Sequence, residues 1–396
     1  MPDNTHPKLV VGNRYREIDG LRAIAAFLVI WAHAADMAGA ISSDNILTNF
    51  YMNIARLGSS GVTLFFIISG FLITGILIDT KDHPDKFKNF YIRRTLRIVP
   101  LYYAALLLIY ILINCFSLSG GNYQLSQVFL YHILFISNWV PYFDPNNLAT
   151  SYADLAWFMH LWSMAVEQQF YIFWPALFFV LYQDRSERFV LTVMVSLIVF
   201  ATVLRIIQTY TWYWWPPYTG TLTRMDALFL GAVLAVLLSK NPDALQKIQA
   251  VSAAFVPVLL IVLALVSIAI SLGNKGLTLN AVIIVPLTAL LYFFLINAMI
   301  LPAKENALRK FLNTRYIQYS GKISYGLYIF SVPVQITLGN MLIDMGSKNY
   351  WVNHIVMLVA GLAITHAMAS LSYTFMERPI MRLKKTWAPY DNRKRA

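Results

Sequence analysis

The chain has 396 residues, of which 58% are hydrophobic and 13% charged, and a formal net charge of +12 at pH 7. Soluble domains carry about 25% charged residues, so this composition excludes an ordinary soluble fold. Lys and Arg fall in short clusters between long apolar runs, the pattern of loop charge on one side of a membrane, so the positive balance does not imply nucleic acid. The one cysteine, Cys115, excludes an internal disulfide and a Cys-rich metal site, and no metal is expected; it reads as a small lipid- or core-facing residue.

Apolar runs with almost no charge predict transmembrane helices over approximately 20–38, 60–78, 98–116, 158–181, 189–208, 223–239, 250–272, 280–301, 323–342 and 353–376. Ahead of the first run stand Lys8, Arg14, Arg16 and Arg22, and Ala32-His33-Ala34 has the form of a cleavage site. The charged region is long for a signal peptide, so an uncleaved first span is expected. The apolar segment 125–140 is ambiguous, and the positive-inside rule decides it. No Lys or Arg occurs from Ile98 to Asp184. If 117–157 lies outside, every basic cluster falls on one side. If 125–140 spans, the basic 304–322 loop lands outside. The expectation is an all-α, polytopic transmembrane helical bundle of about ten spans with both termini cytoplasmic. Residues 117–157 then form an external loop with a re-entrant or interfacial segment, in which Tyr123, Tyr131, Trp139 and Tyr142 suit the membrane interface. Residues 1–380 form a single transmembrane domain, and 381–396 a basic cytoplasmic tail placed against anionic lipid.

Ionisable groups inside a span are costly and mark function by default. In the first span, Arg22 and His33 are eleven residues apart. That is three turns, so they share a face about 16 Å apart. Asp36 follows His33 by three residues and could contact it. A neutral imidazole there can take a proton from a hydroxyl; the bland alternative is a histidine bonded between helices. The third span opens with Arg93, Arg94 and Arg97. Clustered guanidinium groups suit phosphates, but arginines at a helix end are also routine topology signals. In the fourth span, His160, Ser163 and Glu167 make a polar stripe at i, i+3 and i+7. Glu167 is expected at a depth similar to His33, where a carboxylate could orient an imidazole. Ser69-Gly70 in the second span fits a substrate contact or a close-packing glycine. Arg224 and Asp226 read as a pair. Ser324, Tyr325 and Ser331 add hydroxyls to the ninth span.

Seven motifs, in order along the chain, resemble acyltransferase family 3, the bacterial membrane O-acyltransferases. They are Tyr15 to Ala23 with His33; Phe65 to Leu72; and Phe90-Tyr91 through Arg94, Arg97, Pro100 and Tyr103. Leu161 to Tyr171 with Glu167, Arg224-Met225-Asp226 with Gly231, Gly321 to Tyr325, and Glu377-Arg378-Pro379 complete the set. The resemblance implies transfer of an acetyl or other short acyl group from acyl-CoA to a hydroxyl of a carbohydrate or glycolipid, in a bacterial inner (cytoplasmic) membrane. No permanently bound cofactor is implied. Some members carry a C-terminal extracytoplasmic esterase-like domain, which is not expected in this sequence. One departure stands out: the family often has His after Tyr-x-x in the ninth span, where this chain has Ser331.

The resulting expectation assigns catalysis to His33, Glu167 and Asp36. Arg22, Arg94, Arg97 and Arg93 hold the donor, while Ser69, His160, Ser163 and Tyr325 contact substrate. His33 acts as general base or as a covalent acyl carrier. The rival reading is a transporter or flippase for a lipid-linked sugar or small metabolite, for which mid-depth polar groups would serve equally. A transporter has no need of the Arg22–His33 spacing or of the arginine cluster. Oligomeric state is not legible.

Overall fold

The computed structural model describes residues 9–11, 15–40, 46–115, 125–143, 156–182, 185–211, 215–271, 280–301 and 303–390. Tyr123, Asn146 and residues 391–396 lie outside these, as does the side chain of Cys115.

The described residues are helical, with no strand among them. Backbone groups in lipid must bond within their own segment, and a helix achieves this. Ten long helices carry the fold: α1 Arg16–Ala40, α2 Gly61–Asp79, α3 Lys86–Cys115, α4 Trp162–Tyr182 and α5 Glu187–Thr211, then α6 Thr221–Lys240, α7 Pro242–Ser271, α8 Val285–Ile300, α9 Ser324–Asp344 and α10 Tyr350–Ser372. Among the described residues nine segments are long and apolar enough to cross a membrane, and ten if the bent α7 counts as one span. The chain is therefore a multi-pass membrane protein. The bend in α7 is 54°, between Pro242–Ser252 and Ala254–Ser267. Pro257 explains its position: proline lacks an N–H and clashes with the carbonyl four residues back, which is that of Ala253.

The segment 125–140 does not span. It is broken into a helix Leu125–Ile133, a 3₁₀ turn Ser137–Trp139 and a short helix Val140–Phe143. The break is at Phe135, whose φ is +53°. Tyr102 and Tyr103 of α3 donate to the carbonyls of His132 and Ile133, both at 2.9 Å. Gln169 of α4 donates to Phe135 O at 2.7 Å.

At the centre, α2 packs on α6 through facing glycines. A Cβ at Gly70 would meet the Leu228 carbonyl oxygen, and one at Gly231 the Ile67 carbonyl. Small residues permit this backbone approach, which drives helix association in lipid. The outer surfaces of α5 and α7 present Val195, Val199, Phe200, Phe255, Ile261 and Leu265, all exposed, as lipid-facing surfaces are.

Arg224 and Asp226 do not pair. Asp226 is held by Arg205 of α5 at 2.7 Å, with both side chains buried. Arg224 donates to Thr63 at 2.8 Å and sits among the rings of Phe66, Trp162 and Tyr218. An (i, i+2) pair on a helix points apart, and this is why the neighbouring α5 supplies the partner.

Candidate active site

A cavity of about 250 Å³ runs between α1, α2, α3, α4 and α9. On α2 its wall is Val62, Phe65, Phe66, Ile68, Ser69, Leu72 and Ile76, most of them three or four residues apart along one side of the helix. From Val62 to Ile76 this face rises about 21 Å at 1.5 Å per residue. The cavity therefore extends through a large part of the membrane's depth. Its lower end is lined by Val10, Asp19, Arg22, Arg94 and Arg97, and its middle by Ser69, Glu167, Tyr171 and Tyr325. Ser163, Tyr328 and Phe66 line the upper end.

Three guanidinium groups converge on the lower end. Arg22 is within electrostatic reach of Arg97, Asp19 and Glu167. Arg94 lies over the rings of Phe90 and Tyr171 at 5.8 and 5.6 Å. Among the described residues, neither Arg22 nor Arg97 has a hydrogen-bond or ion-pair partner. Donors in this state, on a cavity wall, suit a phosphate-bearing ligand. The segment 9–11 closes the same end: the backbone N–H groups of Leu9, Val10 and Val11 donate to the Asp79 carboxylate at 2.7, 2.6 and 2.7 Å.

Arg93 does not join them. It donates to the Ala388 carbonyl at 2.8 Å and lies 4.3 Å from the ring of Tyr390. It points from α3 to the C-terminal segment, whereas Arg94 and Arg97 line the cavity. Residues 384–390 pack on α3, with Asn89 donating to Pro389 O at 2.6 Å.

Glu167 accepts a 2.6 Å hydrogen bond from Ser69 and is within reach of Arg22 and Arg94. It therefore belongs to the arginine-lined cavity and makes no contact with His33. Ser163 shares a 2.5 Å hydrogen bond with Tyr328, which also bonds His160 O at 2.7 Å. His160 itself is buried off the cavity wall, with Nε2 bonded to Ile329 O at 2.9 Å. That carbonyl requires the proton on Nε2 and leaves Nδ1 as a buried acceptor with no partner among the described residues. Tyr325 lines the cavity while donating to Ile98 O at 2.8 Å. Ser331 donates to Tyr328 O, one turn back on its own helix, at 2.8 Å.

His33 is not part of the cavity wall. A Cβ at Gly61 would meet the carbonyl of Ala25, and one at Gly58 that of Leu28. The upper end of the cavity, at Val62, therefore stands level with about Ala25–Val29 of α1, and His33 lies one to two turns beyond, about 6–11 Å. His160 is within electrostatic reach of His33. Asp36 does not bond His33: its carboxylate pairs with Arg56 at 2.8 Å, with both side chains about half exposed. The exposed arginine competes successfully for the carboxylate, leaving the imidazole without a hydrogen-bond partner among the described residues.

The sequence reading missed Asp19, Tyr171 and Tyr328 as lining residues. A signal was present, since Tyr328 follows Ser324 and Tyr325 at helical spacing, and Tyr171 follows Glu167 by four. The described residues hold no cluster of acids, histidines or cysteines suited to a metal.

Residues 15–370 match the family described as an acyltransferase domain. This match covers most of the sequence, and the chain belongs to that family. It is 28% identical over 384 residues to the peptidoglycan O-acetyltransferase OatA of Listeria monocytogenes, covering 92% of this chain and 55% of that protein. It is 29% identical over 374 residues to YrhL of Bacillus subtilis, provisionally named a peptidoglycan O-acetyltransferase, covering 92% of this chain and 54% of that one. A provisionally named O-acetyltransferase of Staphylococcus aureus is 27% identical over 381 residues, with 92% and 57% covered. The chain thus spans little more than half the length of these relatives. No solved structure matches it significantly.

Proposed function

We propose that this chain moves an acetyl or other short acyl group from acyl-CoA to a hydroxyl of a glycan or glycolipid, across a bacterial cytoplasmic membrane. The observation that carries this reading is the single cavity that joins Arg22, Arg94 and Arg97 to a channel along α2. Coenzyme A has that form: a phosphorylated nucleotide on a thin pantetheine arm. The arginines hold the phosphates and the arm lies along Leu72, Ser69, Phe66 and Phe65, with the thioester towards Val62 and Tyr328. The names of the relatives support acetyl as the group and peptidoglycan-type sugar as the acceptor.

His33 takes the proton from the acceptor hydroxyl, or carries the acyl group covalently to an acceptor on the far side. In the first route, the hydroxyl oxygen attacks the thioester carbonyl, the proton goes to the imidazole, and the CoA thiolate leaves. In the second, an imidazole nitrogen attacks the thioester carbonyl and CoA leaves as the thiol with the ring proton; the hydroxyl oxygen then attacks the acyl carbon, and the imidazole leaves with the hydroxyl proton. Either route needs the thioester to advance the one to two turns from the cavity's upper end to His33. Glu167 balances the arginines at mid-depth and, with Ser69, fixes the polar step in the channel wall.

The test is acetyl transfer from labelled acetyl-CoA to surface glycan in membranes with and without the protein. Label appearing in glycan only with the protein supports the reading. Transport of a lipid-linked sugar with no acetyl transfer contradicts it.

A further inference from the structure

The terminal segment brings a fourth cation to the arginine cluster. Arg93 donates to the carbonyls of Ala388 and Lys384, at 2.8 and 3.5 Å, and its guanidinium lies over Tyr390. With Asn89 on Pro389 O, these contacts fix 384–390 against α3. The side chain of Lys384 is thereby held in reach of Arg97, Arg94 and Arg93. Among the described residues its ammonium has neither a hydrogen-bond nor an ion-pair partner. The charges in its reach among the described residues, those of Arg97, Arg94 and Arg93, are all positive. Assembling like charges in a partly buried place is unfavourable unless an anion completes the group.

Lys384 does not line the cavity, whereas Arg22, Arg94 and Arg97 do. It lies behind them, within reach of Arg97 and Arg94. In acyl-CoA the chemical order is thioester, pantetheine arm, pyrophosphate, then adenosine with its 3′-phosphate. Pyrophosphate on the three lining arginines places the adenosine 3′-phosphate next along. We infer that Lys384 binds the ribose 3′-phosphate of the acyl-CoA donor, and that Arg93 positions it through the 384–390 segment. This rests on the acyl-CoA reading given above. The family match ends at residue 370, so this contact lies beyond the part of the chain that defines the family.

The experiment measures equilibrium binding of acetyl-CoA and acetyl-dephospho-CoA, which lacks only the 3′-phosphate, to the purified full chain and to Lys384→Gln and Lys384→Arg. One charge-assisted phosphate contact predicts that the wild type prefers acetyl-CoA by about ten-fold. Lys384→Gln should bring the two affinities together by weakening acetyl-CoA alone, and Lys384→Arg should keep most of the preference. Equal weakening of both donors in Lys384→Gln, or an unchanged preference, overturns the assignment and leaves the donor reading intact. Binding of neither donor by the wild type overturns the donor reading itself.

Discussion

Ser69 Oγ donates a 2.6 Å hydrogen bond to Glu167 Oε1, linking α2 to α4 in the wall of the cavity, midway between its arginines and its upper end. The serine satisfies one carboxylate oxygen, while Arg22 and Arg94 are near enough to offset the charge. Glu167→Gln preserves the shape and the hydrogen bond from Ser69 but removes the negative charge. The cavity then becomes more positive, so acetyl-CoA should bind at least as tightly as to the wild type. Transfer should fall by up to roughly 10²-fold, the cost of misplacing the donor's arm where it passes the polar step in the channel wall. Donor binding and turnover measured on the same preparation check this; weaker binding together with normal turnover would contradict it.

Arg94 and Arg97 should behave differently from Arg93. Replacing either of the first two with Ala removes a phosphate contact and should weaken acetyl-CoA binding by about ten-fold or more, with Lys restoring only part, because it lacks the planar fork. Arg93→Ala should expose the C-terminal segment to protease, since its guanidinium holds Ala388. Limited proteolysis together with titrations of acetyl-CoA and acetyl-dephospho-CoA separates these effects: Arg94→Ala and Arg97→Ala should weaken both donors, and Arg93→Ala acetyl-CoA alone.

The Arg205–Asp226 pair is a stability element. Both side chains are buried, and Arg205 also donates to Thr223 O at 2.7 Å. Asp226→Ala leaves a buried guanidinium uncompensated, at a cost of about 3 kcal/mol. Thermal unfolding in detergent should show this loss, while the variant at low temperature still binds acetyl-CoA with wild-type affinity.

The spans were largely legible in the sequence because a membrane sets both the length and the polarity of its helices. The absence of Lys and Arg between Ile98 and Asp184 separated the broken segment 125–143 from the true spans. The convergence of Arg22, Arg94 and Arg97 was likewise legible, from helix spacing and family resemblance together. What failed was partner choice. Asp36 was expected on His33 and sits on Arg56; Arg224 was expected on Asp226, which goes to Arg205. Glu167 was expected to face His33 and instead faces Ser69. Spacing along one helix fixes which face a residue occupies, but the partner comes from another helix, whose register the sequence does not give. The inclusion of Arg93 with the phosphate arginines failed for the same reason, since its carbonyl partners lie almost 300 residues away.

Topology can be tested directly. The positive-inside pattern predicts both termini in the cytoplasm and residues 117–157 outside. A cysteine introduced at Asn146, in a background with Cys115 replaced, should react with a membrane-impermeant reagent added to intact cells. Labelling only after the cells are opened would contradict the arrangement.

The most direct test of the mechanism is His33. It stands one to two turns above the cavity on the face of α1 that also carries Arg22, and lacks a hydrogen-bond partner among the described residues. As general base it contributes roughly 10²–10⁴-fold in rate; as acyl carrier, its loss is nearly complete. The measurement is acetyl transfer by His33→Gln and His33→Ala, together with membrane yield and acetyl-CoA binding. Both variants should insert and bind donor normally yet fail to acylate acceptor, because an amide can hydrogen-bond but cannot accept the proton. Substantial turnover by His33→Gln at normal yield would contradict the catalytic role and make His33 a structural residue.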